Sequence, residues 1–375
     1  MGKQRFQQSP FRDLNVSRRD REQLLAFADS FVERSFRQYE AFVASDGRAV
    51  RSAKWKHVRS RQELHVYVER GSGRFPLLLS VGHIPGQMED LLLGVVSPSV
   101  DMMRVRAACV GPKLEDAAVL TPIIEPSARD PFRTVAVKWG ALNWRRSSLL
   151  VKNRDLVVVE ATGVLALVNG ERVGYHAVHS IEFPATKASR AAHHWVRARV
   201  ALCSFFRQSS LDFIEVFATE SIDVGGSDLP RMVVVHSLAD YLLRAAKYVP
   251  CGQMKKLLTT LQRRPDAPRL TGPAVCVTCG KTRRSGVLGG LTDRRKSICR
   301  LCFGVVCLSC RVRERIAFFT PSNTLELCKL SFCSRCLAAH ALVDPQEVAL
   351  AQAKSGFAGC RSFAGASFSA ASSRA

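Results

Sequence analysis

CRLCFGVVCLSC (Cys299–Cys310) carries two Cys-x-x-Cys pairs separated by only four residues. Two cysteines at this spacing reach one ion from a single tight turn, and zinc takes four such soft ligands in a tetrahedron. The short spacer between Cys302 and Cys307 leads us to expect that these two pairs serve different ions. Working outward, a third pair lies upstream at Cys276/Cys279 and a fourth downstream at Cys333/Cys336. An interleaved pairing follows: one zinc on Cys276, Cys279, Cys307 and Cys310, and a second on Cys299, Cys302, Cys333 and Cys336. A redox dithiol would account for one pair, but not for four in series. The expected cofactor is two Zn2+ in a small cross-braced module over 274–345, folded by metal in place of a large core.

The chain has 375 residues and 13 cysteines. Eight of them in knuckle spacing suit a reducing compartment better than a disulfide framework. Cys109, Cys203, Cys251, Cys328 and Cys360 are left over and read as free thiols, with Cys328 able to stand in for a neighbouring ligand. No run of about eighteen apolar residues occurs, and the start MGKQRFQQSP is polar and basic, so we expect a soluble cytoplasmic protein. The opening Met-Gly begins an acylation pattern that lapses at Phe6, where Ser or Thr is required. The net charge of +23 stays strongly positive after eight thiolates and two dications are counted, and it calls for an acidic partner, either a nucleic acid or an anionic membrane.

Upstream, apolar residues recur at helical spacing from Val16 to Ser45, from Leu24 to Phe42, which predicts an amphipathic helix closed by Gly47. WKHVRS, ELHVYVER and PLLLSVGHI read as three strands, and MEDLLLGVV with PSVDMMRVRAACV as two short helices. Six further extended runs follow: AVLTPIIEP, FRTVAVKWGAL, DLVVVEATGVLAL, ERVGYHAVHSIEF, WVRARVALCSFF and LDFIEVFAT. In the fifth, Val196, Ala198, Val200, Leu202 and Phe206 form one face and Arg197, Arg199 and Arg207 the other; core packing and a ligand wall both explain that apolar set. A last helical run, Leu229 to Leu261, should cover the sheet, with Pro250 interrupting it. The fold class is α+β, a curved antiparallel sheet gripping a helix. The expected boundaries are a flexible start over 1–15, the sheet domain over 16–262, a Pro-rich linker over 263–273, the zinc module over 274–345 and a disordered Ala/Ser/Gly tail over 346–375.

Two resemblances join these readings. The C-x2-C-x4-C-x2-C centre, with Arg300 after its first cysteine, resembles the FYVE-type zinc finger, and DRRKSICR aligns with that family's basic patch. Arg295, Lys296 and Arg300 match its cationic positions, while Ser297 and Ile298 stand where the family has histidines. No Trp-x-x-Asp precedes Cys276, and SFC at Ser331–Cys333 replaces Arg-Val-Cys. The resemblance implies docking on membranes bearing a phosphoinositide, phosphatidylinositol 3-phosphate above all, and a peripheral endosomal location.

The upstream phrases WKHVRSRQELHVYVER, GVVSPSVDMMRVRAACV, EPSARDPFRTVAVKW, DLVVVEATG, NGERVGYHAVHSIEFP and MKKLLTTLQ resemble a START-type lipid-binding domain. The combination resembles the START-like plus FYVE-type proteins of oomycetes. It implies a helix-grip fold with an apolar tunnel between sheet and C-terminal helix that holds a hydrophobic lipid. No residues of that ligand pocket are identified.

Between Cys276 and Arg315, ten Lys/Arg stand against Asp293 and Glu314. Cations near an anionic leaflet contribute on the order of 1 kcal/mol each, enough together for salt-sensitive docking. The Gly-rich GVLGGL segment puts Val287 and Leu288 beside them, either as a membrane-inserting tip or packed on the module's own core. Arg295 and Arg300 offer planar forks to a phosphate and Lys296 a point charge. No Ser/His/Asp set or phosphate-cradling loop is present in the sequence, so an enzyme is not expected. The alternative function is a cross-braced module that binds a protein partner, including a ubiquitin-ligase-like adaptor. Nucleic acid is disfavoured because the basic segment lacks aromatic stacking positions.

Overall fold

The computed structural model describes residues 16–45, 50–73, 75–111, 114–142, 152–182, 195–226, 229–262, 275–282, 298–320 and 323–355. They form two compact units. One runs through Gly252 and takes up a helix that begins at Pro345; the other runs from Gln253 to Asp344. The expected linker over 263–273 lies outside the described residues.

The first unit opens with α1 (Arg18–Ala44). Ser17 caps it: its Oγ accepts from the Asp20 N–H, and the Asp20 carboxylate accepts from the Ser17 N–H, a reciprocal box that satisfies otherwise orphaned donors. Strands β1 (Trp55–Arg61), β2 (Leu64–Glu69) and β3 (Leu77–Pro85) follow, then α2 (Met88–Val95) and α3 (Val100–Cys109). Seven more strands come next: β4 (Leu114–Ile124), β5 (Thr134–Leu142), β6 (Arg154–Ala166), β7 (Arg172–Ser180), β8 (Val196–Arg197), β9 (Arg199–Gln208) and β10 (Phe213–Asp223). The sheet order is β1-β2-β3-β10-β9-β7-β6-β5-β4, with β8 added to β6. The pairs along that path are antiparallel, and β8 alone pairs in parallel.

Strand alternation gives the sheet two apolar faces. Val159, Ala161, Val173, Tyr175, Phe205 and Phe217 pack against Ala28, Val32, Phe36 and Tyr39 of α1. The other face meets α2 over β6, β7 and β9, and α4 (Arg231–Leu242) over β1, β2 and β3. This is the expected helix-grip α+β plan, with helices on both sides of one antiparallel sheet.

Three local features depart from the expectation. WVRARVALCSFF is not one strand: it breaks at Ala198, because Val196 and Arg197 pair with Arg154 and Asp155 before β9 turns onto β7 and β10. The C-terminal helical run is interrupted ahead of Pro250, by a 3-10 turn over Leu243–Lys247. Pro250 sits in the first turn of α5 (Tyr248–Gln262), where a missing N–H costs nothing. The third correction concerns the tail. Of the tail expected to be disordered over 346–375, residues 346–355 belong to α7 (Pro345–Ser355), which buries Val348, Ala349 and Gln352 and packs on α2 within the first unit, and 356–375 lie outside the described residues.

In the second unit, β11 (Arg311–Phe319) and β12 (Leu325–Cys333) make a hairpin that runs straight into α6 (Ser334–Ala341). Its small core comprises Leu301, Val306, Ile316, Ala317 and Phe332, all nearly sealed from solvent.

Candidate metal centres and the buried polar face of the sheet

Two sets of four cysteines converge in the second unit. Cys276, Cys279, Cys307 and Cys310 form one, Cys299, Cys302, Cys333 and Cys336 the other, and within each set the Sγ atoms lie within 4.8 Å of one another. This is the interleaved arrangement that the four-residue spacer implied. The backbone builds each knuckle. Cys276 N–H donates to the Lys281 carbonyl at 3.0 Å while Gly280 N–H returns to the Cys276 carbonyl at 2.9 Å. Cys299 N–H likewise donates to Gly304 at 2.9 Å, and Phe303 N–H to Cys299 at 2.9 Å. Gly280 and Phe303 close these turns at positive φ, 70° and 59°. Cys333 caps α6, its Sγ accepting the Cys336 N–H at 3.4 Å.

The donor chemistry fits a tetrahedral ion. With metal–sulfur bonds of about 2.3 Å, the edge of the tetrahedron is about 3.8 Å. Cys279 and Cys307 are separated by 3.8 Å between sulfurs, and Cys302 and Cys333 by 4.0 Å. Burial raises the Cys276 thiol, but N–H groups of Cys307, Cys279 and Thr278 outweigh it and bring it down to about 6. Cys299 is lowered in the same way, by N–H groups of Cys302, Cys333 and Leu301 against its burial. One thiol in each set is thus brought toward the thiolate that ligates, while the neighbouring Cys307 sulfur pushes Cys310 up to about 12 and burial raises Cys302 and Cys336. Each set can therefore hold one metal ion. Cys328 belongs to neither: it sits opposite Ile316 on β12, and burial raises its thiol.

Of the residues expected to meet a headgroup, Arg300 is half-buried, and its N–H donates to the Ser331 carbonyl at 2.9 Å. Ile298 bridges to Val305. Arg295 and Lys296, together with Val287 and Leu288, lie outside the described residues.

The first unit contains a second concentration of chemistry, absent from the expectations above. On the face of β6 turned away from α1, Glu160 is 3% exposed and meets Arg106 of α3 at 2.6 Å, His176 of β7 at 2.6 Å, and Lys138 of β5. Lys138 also donates to the Ser97 carbonyl at 2.7 Å and Arg106 to the Val95 carbonyl at 2.8 Å. Burial alone would raise the Glu160 carboxyl, but Arg106, Lys138 and His176 outweigh it and hold it well below the usual carboxylate range. Burial lowers both Lys138 and His176, and Glu160 partly offsets it. A single ionic residue inside each of the apolar runs VAVKWG and VVVEATG was the signal available in the sequence: a charge on a strand buried on both faces needs a partner. His176 is thus structural, as is His179, which stacks edge-on against Phe27 and Phe31.

A cavity of about 830 Å3 lies on the α1 side of the sheet, walled by Val32, Phe36, Phe132, Leu165 and Tyr175 with Arg133 among its polar groups. Arg133 pairs with Asp29 at 2.5 Å across its edge. The tunnel implied by the START resemblance would instead lie on the opposite face, beside the C-terminal helix. Arg172 and Tyr175 line the α1-side cavity, whereas Glu182 pairs with Arg199 at an exposed position. Among the described residues no helix is long and apolar enough to cross a membrane.

No family model matches the chain, and no curated protein matches it. Among solved structures, it is similar to human StAR-related lipid transfer protein 5, with 15% identity and a TM-score of 0.42 over 61% of this chain and 98% of that one. It is similar to human STARD10 with 13% identity and a TM-score of 0.40, over 61% of this chain and 82% of that one. A STAR-related lipid transfer protein fragment from Xanthomonas axonopodis matches with 14% identity and a TM-score of 0.35, over 52% of this chain and 96% of that one.

Proposed function

We propose that this is a non-enzymatic lipid-binding protein whose zinc module docks it on anionic, phosphoinositide-bearing membranes of the endosomal surface, while the helix-grip unit holds a hydrophobic lipid. The observation that carries the reading is the joining, in one strongly basic chain, of a helix-grip sheet to two four-cysteine sets of tetrahedral dimensions. Zinc, a d10 ion without redox chemistry, supplies rigidity to the second unit and takes no part in a reaction there. Arg295, Lys296 and Arg300 are assigned to the phosphate of the headgroup, phosphatidylinositol 3-phosphate in the first instance, and Val287 with Leu288 to the membrane-entering tip. Ser297 and Ile298 in the histidine places remove the groups that titrate near neutrality, so docking is weak and nearly independent of pH between about 6 and 8.

Flotation with liposomes that differ only in phosphoinositide tests this. Binding should require that lipid, fall with salt, disappear after chelation, and be lost in Arg295→Ala/Lys296→Ala with the fold intact. Flotation that is indifferent to phosphoinositide or to this double substitution would remove those residues from the site.

One observation favours a second reading, docking on a protein partner. Leu308 is 71% exposed on the knuckle between Cys307 and Cys310, with Val275 and Val277 also exposed beside Cys276. Exposed apolar residues around a rigid metal centre suit a protein surface. Leu308→Asp should leave flotation unchanged if membrane docking is the function.

A further inference from the structure

The open sheet of the first unit ends in β1 on one side and β4 on the other. An end strand has a neighbour along one edge only, and every second N–H and C=O of its backbone points away from the sheet. The two ends are finished differently. β4 slips register three times against β5, contains Pro122, and is tied to α1 by Arg21, whose Nη1 donates to the Pro122 carbonyl at 2.6 Å. Those devices turn another strand away without help from charge. β1 contains no proline, shifts register once, between His57 and Arg59, and is exposed at Lys56, His57, Arg59, Ser60 and Arg61. Among the described residues no strand lies along its outer edge.

The register sorts β1 into two faces. Lys56 opposes Val68, Arg59 opposes Val66 and Arg61 opposes Leu64, so these three cations share the face on which Leu64 and Val66 are buried. Asp240 of α4 takes Arg59, whereas Lys56 and Arg61 have no ion pair among the described residues. Trp55, His57 and Ser60 point the other way, opposite Glu69, Tyr67 and His65. This face is ordered from within: Ser60 Oγ lies 2.7 Å from both His57 Nε2 and His65 Nδ1, and the His57 ring meets Tyr67 edge-on.

We propose that β1 is a docking edge for an acidic, extended segment of a partner protein. The segment adds to the sheet as a further strand. Its carboxylates alternate with neutral residues, so that they meet Lys56 and Arg61 while the neutral side chains lie over Trp55, His57 and Ser60. Charge complementarity selects this occupant. A second copy of the chain is turned away, because two β1 edges would set lysine and arginine against each other, and like charges directly opposed destabilise a strand pair. An anionic bilayer or a nucleic acid would meet the cations, but neither offers the backbone groups that an open strand edge pairs with.

The full-length, metal-loaded protein is titrated with a synthetic peptide of about ten residues that alternates glutamate and threonine, and amide exchange is followed by mass spectrometry. Exchange across Trp55–Arg61 should slow about tenfold when the peptide stands at about ten times its Kd. A peptide alternating lysine and threonine should give no protection. The acidic peptide N-methylated at two adjacent central residues should give none either, since that change blocks pairing along both of its edges. Lys56→Glu/Arg61→Glu should invert the choice, binding the lysine peptide about tenfold more tightly than the acidic one. Both positions are exposed, and thermal melting of the double variant checks its fold. Equal protection of β1 by the N-methylated peptide, or by vesicles of phosphatidylserine, would overturn the proposal and mark β1 as a patch for anions at large. No protection of the wild type by the acidic peptide would overturn it as well, leaving the cations as guards against edge-to-edge association.

Discussion

Gly94 and Gly252 face each other where α2 crosses the start of α5, so closely that a side chain at either would collide with backbone. A Cβ on Gly94 would overlap the Tyr248 carbonyl oxygen and come within 3.1 Å of the Gly252 nitrogen; one on Gly252 would overlap the Asp90 carbonyl oxygen. The contact needs no left-handed backbone, only the absence of a methyl group on each helix. It fixes how α2, which covers β6, β7 and β9, meets the helix entered at Tyr248.

Gly94→Ala should therefore destabilise the first unit by about 1–3 kcal/mol, the usual cost of overpacking, despite alanine's better helix propensity. Urea unfolding of the two single variants and the double variant measures it. Additive losses would mean that the helices do not touch through these positions.

Glu160 joins Arg106, Lys138 and His176, and its removal leaves two cations buried without a counter-charge. Glu160→Gln should cost about 3–5 kcal/mol, read from denaturant midpoints at neutral pH. The folded-state pKa of Glu160 is depressed, so its contribution is present above the unfolded value near 4.5 and is lost as pH falls through the folded one. The acid-unfolding limb of the wild type should accordingly flatten in the variant.

Glu220 has the opposite sign. Burial lifts its folded pKa to about 8, above the unfolded value, so the folded state retains a proton that the unfolded chain releases. Stability should decline as pH rises from about 4.5 to 8 and then level off. Glu220→Gln should remove that decline, with a gain of up to a few kcal/mol that is larger at about pH 9 than at about pH 5. Equal gains at both pH values would show that Glu220 is not the group responsible.

Two metal ions per chain are expected from native mass spectrometry, and Cys299→Ser or Cys276→Ser should each leave at most one. The sets interleave along the chain, so loss of either should expose the β11–β12 amides to hydrogen exchange. Unchanged protection after chelation would contradict a metal-built module.

Lys256 Nζ donates to the carbonyls of Ala341 at 3.0 Å and Val343 at 3.2 Å, at the C-terminal end of α6. Those carbonyls have no partner within the helix, and a cation is favoured there. Lys256→Met, which keeps the stem and removes the charge, should lower the thermal stability of the second unit by about 1–3 kcal/mol and speed exchange around Val343.

The amino-acid sequence by itself determined the ligand pairing of the eight cysteines and most of the order of helices and strands in the sheet unit. Both are set by short-range geometry: a two-residue gap makes a knuckle, and periods of about 2 and 3.6 report which side of an element is apolar. Tertiary structure alone decided what those apolar faces meet. Glu160 acquires Arg106, Lys138 and His176 only because four separate segments converge, and Ser80 lies beside Glu220 only because β10 inserts between β3 and β9. The break at Leu243–Lys247, the split at Ala198 and the capture of α7 by α2 have the same origin. Each follows from contacts between residues far apart in the chain, and local periodicity carries no information about such contacts.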